Sequence, residues 1–463
     1  MEITREEKDS LGTVAVPASR LWGAQTQRSL ENFRISEERI PLEIIHALGS
    51  IKRAAARTNC ALGILDADLA RAIAEAAELV ADGTYDDEFP LAVWQTGSGT
   101  HSNMNANEVI ANSANEALGA KRGAKAPVHP NDHVNMSQSS NDTFPTAVHL
   151  AAIDLLNNRL LPSLDELQRD LTGKANDWDS IVKVGRTHMQ DATPLTLGQE
   201  FSGFAAQINA GIERIQAALP GLMQLAQGGT AVGTGLNAPK AFAERFAKEL
   251  SQDTGWPLQT ASNKFAALAS QDALVFAHGA LATLAGSLYK IASDIRLLGS
   301  GPRSGFGELA LPVNEPGSSI MPGKVNPTQV EALTQVCAQV LGNHTTVSFA
   351  GTQGQLQLNV YRPVVAYNFV QSARILADVC DSFRRHLLAG LEPREDNIRE
   401  GLEKSLMLVT ALAPHIGYEK AADIAETAHA KGLTLRQAAL ECGFVSADEF
   451  DRIVDPTKML APD

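Results

Sequence analysis

Residues Ser262–Leu298 read SNKFAALASQDALVFAHGALATLAGSLYKIASDIRLL, and this stretch decides the predicted fold. Large aliphatic side chains recur along it at alternating steps of three and four residues, the period of a helix that packs in a bundle. That stripe comprises Leu274, Leu281, Leu284, Leu288, Ile291, Ile295 and Leu298. The other faces carry Ala, Gly and Ser rather than charges, and one helix of this length would extend roughly 55 Å. A compact monomer cannot cover such a helix, so the stretch predicts oligomerisation through a helical bundle.

The rest of the chain predicts a mainly α protein of three domains. Residues 1–136 mix turn-rich stretches with amphipathic helices over Pro41–Leu62 and Asp66–Ala81. Residues 137–390 have few strand signals and predict a central helical bundle domain. Residues 391–463 are more charged, with glycines between short helical patterns, and predict a small C-terminal helical domain.

Composition excludes several classes of function. The chain has 463 residues, 44% of them hydrophobic, and a net charge of −14, which argues against a nucleic-acid or anionic-membrane partner because neither surface attracts an acidic protein. Met1–Lys8 carries charges where a signal peptide has its apolar core, and we expect no membrane-spanning segment. The cysteines are far apart in sequence and predict reduced thiols in a cytoplasmic protein: Cys60, Cys337, Cys380 and Cys442.

The stretch Gly317–Pro327, GSSIMPGKVNP, has the composition of a binding loop. Two glycines and two prolines exclude a regular helix or strand, and the loop can direct two hydroxyls, an ammonium and an amide to one point. Those groups belong to Ser318, Ser319, Lys324 and Asn326. Thr328–Val347 then shows helical spacing, which would place the end of the loop at a positive helix terminus. A carboxylate would suit this site, although the same composition occurs in surface loops that precede a helix.

Two further polar runs are candidates for ligand binding. Trp94–Asn107 is dense in hydrogen-bonding side chains and poor in apolar ones. Ser137–Asp142 precedes a predicted helix, so one of its residues can serve as an N-cap. Because a cap needs only one residue, the remaining polar side chains could instead close on a ligand at that helix terminus.

Gly185–Asp191 contains the strongest acid–base candidate, His188, in what the pattern predicts to be a loop leading into a helix. A lone histidine is more often a packed or surface residue, and this chain has 11. Glu331 stands three residues after Thr328, a spacing that fits a capping box as well as it fits catalysis. If Glu331 reaches His188, its carboxylate would fix the imidazole tautomer and stabilise the imidazolium.

Several of these motifs together resemble class II fumarate hydratases of the fumarase/aspartase superfamily, over nearly the whole chain. The resemblance rests on Leu21–Leu30, Thr96–Asn107, His129–Asp132, Ser137–Asp142, Gly185–Asp191, Gly317–Pro327 and His415–Tyr418, in the family's order. It implies a three-domain fold with a central long-helix bundle. It also implies a lyase of the tricarboxylic acid cycle, a hydro-lyase that interconverts fumarate and L-malate through a carbanion intermediate.

The resemblance assigns roles by position. Ser318 resembles the general base that removes a C3 proton from malate, and His188 with Glu331 resembles the group that handles water at C2. The substrate's carboxylates would be held by Ser98, Thr100, Ser139, Ser140, Asn141, Thr187, Ser319, Lys324 and Asn326. The family implies a homotetramer whose active sites are shared between subunits, and a reaction that needs no cofactor and no metal.

One motif departs from the family pattern. Fumarases often have an arginine shortly before His-Pro-Asn-Asp that helps to form a second dicarboxylate site, whereas this chain has Ala126. The other members of that site would be His129, Asn131 and Asp132, with Lys125 as a substitute point charge.

Two alternatives share the fold. Aspartate ammonia-lyases have glutamine where this chain has His188 and tend to have alanine where it has Gly323, so both positions favour water over ammonia. Superfamily members also serve as non-catalytic structural proteins, against which the intact polar motifs count.

Overall fold

The computed structural model describes residues 3–462, so Met1, Glu2 and Asp463 lie outside the described residues. The mainly α architecture is confirmed. The helices are α1 Ala24–Asn32, α2 Leu42–Ala61, α3 Ala67–Ala81, α4 Thr100–Ala117, α5 Ser140–Leu155, α6 Leu161–Asp177, α7 Leu197–Leu222, α8 Phe242–Thr254, α9 Lys264–Ala269, α10 Asp272–Leu298, α11 Thr328–Gly351, α12 Arg362–His386, α13 Glu395–Lys404, α14 Ala413–Ile416, α15 Tyr418–Lys431, α16 Leu435–Cys442 and α17 Ala447–Ile453.

The strands are short and pair in twos. They are β1 Thr4–Asp9, β2 Gly12–Pro17, β3 Val182–Thr187, β4 Gln190–Thr196, β5 Gln224–Leu225, β6 Gln259–Thr260, β7 Leu309–Ala310, β8 Gly354–Gln355, β9 Leu358–Asn359 and β10 Glu392–Pro393. Strand β5 pairs with β6 in parallel, and the other pairs, β1 with β2, β3 with β4, β7 with β10 and β8 with β9, are antiparallel.

The two predicted N-terminal helices are confirmed as α2 and α3. Helix α3 begins where the sequence predicts it, because the Asp66 carboxylate accepts hydrogen bonds from the backbone N–H groups of Asp68 and Leu69. The apolar face of α2 is fully buried at Ile44, Leu48 and Ile51, as its spacing requires.

The prediction of one helix over Ser262–Leu298 is wrong. The stretch forms α9 and α10, separated at Ser270 and Gln271, because Ser270 takes an extended conformation with φ −117° and ψ 167°. Polar residues such as these compete with helical backbone bonds and favour helix ends. The predicted aliphatic stripe is buried along α10, from Leu274 at 0% exposure to Leu298 at 5%.

Helix α10 has 27 residues, which corresponds to roughly 40 Å. Among the described helices it is the one that is long and apolar enough to cross a membrane, with a mean hydropathy of 1.3 over its most apolar segment. More than half of that segment, 56%, is buried within the protein, as expected for the core helix of a bundle.

The chain divides into two compact units, each with its own core. One unit comprises Met1–Pro162, Glu213–Ala285 and Cys337–Ala377, and the other comprises Ser163–Ile212, Gly286–Val336 and Asp378–Asp463. The first contains α2, α3, α4 and α5. In the second, the C-terminal helices enclose an apolar cluster that includes Leu412, Ile424 and Phe450. The three-domain division stays a prediction.

Candidate functional site

The Gly317–Pro327 loop is organised around the Ser318 hydroxyl. Its Oγ accepts hydrogen bonds from the backbone N–H groups of Met321 at 3.0 Å and Ile320 at 3.3 Å. Ser318 is half-buried, whereas Ser319 and Lys324 are exposed. The loop is therefore a short turn whose N–H groups converge on one oxygen, as its glycine and proline content predicts.

Gly317 and Asn326 close the loop at its two ends. The Asn326 side-chain amide donates to the Gly317 carbonyl oxygen. A Cβ at Gly317 would lie 1.9 Å from the Lys324 carbonyl oxygen. Only glycine therefore fits where the two ends of the loop approach each other. The loop then ends at α11, as predicted, and its final residues lie at the positive end of that helix.

His188 lies at the tip of a β-hairpin. The prediction of a loop leading into a helix is wrong here: β3 and β4 pair directly, and only His188 and Met189 connect Thr187 to Gln190. Both connecting residues have positive φ, 55° and 62°, which suits a tight two-residue turn but is uncommon outside glycine and asparagine. Thr187 and His188 are both exposed, so the hairpin presents them outward.

A buried ion-pair cluster lies beneath this hairpin and was not predicted from the sequence. Lys183 is 1% exposed, and its ammonium lies 2.7 Å from Glu200 and 2.9 Å from Glu308. Arg186 pairs with the same Glu308 carboxylate at 2.7 Å and stacks over the Phe306 ring. Lys183, Val184 and Gly185 are all buried, so β3 does not alternate between a buried and an exposed face. A lysine within the apolar run Ile181–Val184 is the signal that would have revealed the cluster.

Glu331 is exposed in the first turn of α11. Thr328 is the first helical residue, and the backbone N–H of Glu331 donates to the Pro327 carbonyl. Thr328 is therefore not the N-cap, and the capping-box alternative for Glu331 is wrong. Within residues 3–462, no hydrogen bond or ion pair joins Glu331 to His188 of the same chain.

The first unit contains the remaining candidates. Gly99 precedes α4, and the Ser98 hydroxyl lies 2.8 Å from that of Thr100, the first residue of the helix. Ser98 is 8% exposed. The two hydroxyls therefore lie together at the N-terminus of α4, where unpaired N–H groups favour an anion.

Ser139 is the N-cap of α5, and with Asp142 it forms a complete capping box. The capping interpretation of this run is confirmed for Ser139. The Asp142 carboxylate also accepts 2.8 Å hydrogen bonds from the backbone N–H groups of Gly228 and Thr230. Burial raises the pKa of Asp142, and these N–H donors oppose that shift. The last residue of the run, Asp142, is thus hydrogen-bonded to a second segment of the same unit.

Ser140 and Asn141 extend from the same helix terminus. The Ser140 hydroxyl accepts from the Asn103 amide at 2.9 Å, and the Asn141 amide donates to the Ala231 carbonyl at 2.8 Å. Together with Ser139, they give the α5 N-terminus a set of polar side chains larger than a cap requires.

The His129-Pro-Asn-Asp motif forms its own helical turn. The Nδ1 atom of His129 accepts from the backbone N–H groups of Asn131 and Asp132, each at 3.2 Å. The Lys125 ammonium donates to the carbonyl of Lys8. His129, Asn131 and Asp132 of the predicted second dicarboxylate site thus share one turn. The Lys125 ammonium is hydrogen-bonded to a backbone carbonyl instead.

The described residues contain no cluster of three or more His, Cys, Asp or Glu side chains that could hold a metal ion. All four cysteines are free thiols, and burial raises the pKa of Cys337 to about 12. A buried thiol of this kind is not a nucleophile.

The candidate residues fall into two groups. The second unit contains Thr187, His188, Ser318, Ser319, Lys324, Asn326 and Glu331, and the first contains Ser98, Thr100, His129, Asn131, Asp132, Ser139, Ser140 and Asn141. Each group includes hydroxyls and amides beside a helix N-terminus and one imidazole, and the second adds the ammonium of Lys324.

Comparison with known proteins gives a consistent picture. Residues 12–342 match the family model described as lyase, and residues 408–461 match the one described as fumarase C C-terminus. The chain is 63% identical over 459 residues to a class II fumarate hydratase of Methylorubrum extorquens, covering 99% of this chain and 97% of the relative. It is 61% identical to that of Caulobacter vibrioides, over 100% of both chains. The crystal structure of a class II fumarase from Schistosoma mansoni superposes with a TM-score of 0.97 at 44% identity, covering 99% of each chain.

Proposed function

This chain belongs to the lyase family of the class II fumarate hydratases, which are hydro-lyases, and on that premise we propose that it interconverts fumarate and L-malate by acid–base catalysis. The observation that carries the mechanism is the pair of backbone N–H groups that converge on Ser318 Oγ. Serine is ordinarily too weak a base to remove a carbon-bound proton. Hydrogen bonds to its oxygen favour the alkoxide form, and we propose that the positive charge of Lys324, in the same loop, favours it further.

In the dehydration of L-malate, the Ser318 alkoxide removes the C3 proton. The electron pair delocalises into the adjacent carboxylate as an aci-carboxylate dianion, and the C2–O bond then breaks. Protonated His188 gives its proton to the departing hydroxyl, so that water leaves and the double bond of fumarate forms. Hydration reverses these steps. Lys324, Asn326 and the loop N–H groups stabilise the charge that develops on the carboxylate.

The groups proposed to bind the substrate's carboxylates are the polar side chains at two helix N-termini and in two turns. The α4 terminus contributes Ser98 and Thr100, and the α5 terminus contributes a further three residues. Thr187, Ser319, Lys324 and Asn326 complete the set. Helix N-termini and charge-assisted hydrogen bonds are well suited to dianionic substrates.

We propose that the protein is a homotetramer with active sites shared between subunits. Its support is that His188 and Glu331 are both exposed and are not bonded to each other within one chain. Large apolar side chains also lie exposed on the long helices, with Phe276 62% and Phe349 61% accessible. Sedimentation should give a tetramer whose dissociation abolishes turnover, and an active monomer would contradict the proposal.

We further propose that the enzyme acts in the cytoplasm, uses no cofactor or metal and binds no nucleic acid or membrane. The turn of His129, Asn131 and Asp132 is proposed as a second dicarboxylate site without the usual arginine. Turnover should persist after prolonged chelation, and loss that one specific metal restores would contradict metal independence.

The function is tested by following the absorbance of the fumarate double bond with L-malate and, separately, with L-aspartate. We expect fumarate from malate alone. Release of fumarate from aspartate would favour the ammonia-lyase, and inactivity with both substrates would favour a structural role.

A further inference from the structure

Lys52 is a buried lysine of α2 that the proposed mechanism does not use. It is 0% exposed, and its ammonium donates to Asn135 Oδ1 and Gln138 Oε1, both at 3.0 Å. Gln138 directly precedes Ser139, the N-cap of α5. One of these two hydrogen bonds therefore ends one residue before the proposed carboxylate-binding group.

The second hydrogen bond of Lys52, to Asn135, also connects it to the α5 N-terminus, through Asn103 and Ser140. Asn135 Oδ1 also accepts from the side-chain amides of Asn103 at 3.2 Å and Asn107 at 3.1 Å. The Asn103 amide in turn donates to Ser140 Oγ. An amide oxygen that accepts from three donors, one of them an ammonium, is held rigidly.

Cationic side chains outnumber carboxylates around the N-terminus of α5. Asp142 interacts electrostatically with Lys52, Lys264 and Arg362, and Arg362 donates to the Asn141 carbonyl at 2.6 Å. Burial lowers the pKa of Lys52 to about 7, of Lys264 to about 8 and of Arg362 to about 10, and the Asp142 carboxylate opposes each shift. A cation that is buried at such cost is stabilised by an anion that arrives nearby.

We propose that Lys52 is a positioning residue for the dicarboxylate, which holds Ser139 and Ser140 in place and supplies buried positive charge behind the α5 N-terminus. The inference rests on the proposed function, since it takes this terminus as a carboxylate subsite. Lys52 does not touch the reacting atoms, so it affects substrate binding more than the chemical step.

The test is Lys52→Met, which keeps the length and apolar stem of the side chain. We expect KM for fumarate to rise roughly tenfold, because a charge-assisted network is lost. The dissociation constant of succinate, a non-reactive dicarboxylate, should rise by a similar factor, while kcat changes less than roughly threefold. Lys52→Arg, which keeps the charge, should recover part of the affinity.

Arg53→Met is the matched control on the same helix. Arg53 pairs with Glu78 and Asp253 rather than with the segment before α5, so its loss should leave KM near the wild-type value. If Lys52→Met does not fold, Gln138→Met removes one acceptor of the network and should raise KM in the same direction.

Unchanged KM and unchanged succinate binding in a folded Lys52 or Gln138 variant would overturn the inference. A fall in kcat at constant KM would do so as well. Failure of the wild-type protein to hydrate fumarate would instead refute the proposed function, so the two failures are distinguishable.

Discussion

The backbone N–H of Met321 donates a 3.0 Å hydrogen bond to Ser318 Oγ, across the four-residue turn Ser318–Met321. The geometry depends on a close approach of the two ends of the loop, where Gly317 lies against the Lys324 carbonyl. The reactivity proposed for Ser318 thus depends on Gly317, which has no reactive side chain.

Gly317→Ala should therefore impair catalysis without unfolding the protein. Its Cβ would lie 1.9 Å from the Lys324 carbonyl oxygen, so the loop must open and displace Ser318. We expect kcat to fall roughly 100-fold, the effect of misplacing a catalytic group by about 1 Å. The thermal midpoint should change little, because most of the loop is exposed.

Gly401→Ala is the control for that substitution. Apart from its chain neighbours and its own helix backbone, no atom lies within 4 Å of the Cβ position at Gly401 on α13, so activity should be retained there. Equal activities of the two variants would show that the loop tolerates opening.

His188→Gln should separate proton transfer from binding. Glutamine can hydrogen-bond but cannot accept and return a proton near neutral pH, so hydration should fall by roughly 10² or more while succinate still binds. Aspartase activity should not appear, because amine recognition needs more than one exchange. Steady-state hydration and equilibrium binding are measured in both proteins. Equal hydration rates would remove His188 from the mechanism, and loss of binding would make it a substrate ligand.

A third prediction concerns acid stability and His278 on α10. His278 is 0% exposed, its Nε2 lies 2.9 Å from Ser372 Oγ, and its ring stacks on His344. Burial, with a smaller effect of His344, lowers the pKa of His278 from 6.5 to about 4. Between these values the unfolded chain binds a proton there that the native protein does not, so stability is lost as pH falls from about 6.5 to about 4.

His278→Asn should reduce that loss by at most about 1.4 kcal/mol per pH unit. Denaturant unfolding at several pH values across the interval measures the slope. His429→Gln, at an exposed position of α15, is the control. Parallel profiles of His278→Asn and wild type would contradict the prediction.

The helices were predictable where amphipathic spacing was continuous. Spacing identified α2, α3 and α11 because each buries one apolar face along its whole length. The break at Ser270 was missed, since two polar residues within a helical pattern resemble an exposed face. The break between α9 and α10 is visible only in the structure, as the extended backbone of Ser270.

The candidate site was predictable as motifs but not as geometry. The hairpin that carries His188 was missed because its turn has His188 and Met189 at positive φ instead of the usual asparagine and glycine. The Lys52 network escaped notice because it joins residues more than 80 positions apart, as Lys52 and Asn135 are with a separation of 83. The catalytic roles stay predictions.

The most direct test of the account is the rate of fumarate hydration by Ser318→Ala, measured beside succinate binding and thermal unfolding. The substitution removes the proposed base and no apolar contact, and Ser304→Ala, in an exposed loop of the same unit, is the control. The account predicts that hydration falls by roughly 10² to 10⁴ while succinate affinity and the unfolding midpoint stay at wild-type values. A near-normal hydration rate in Ser318→Ala would contradict it.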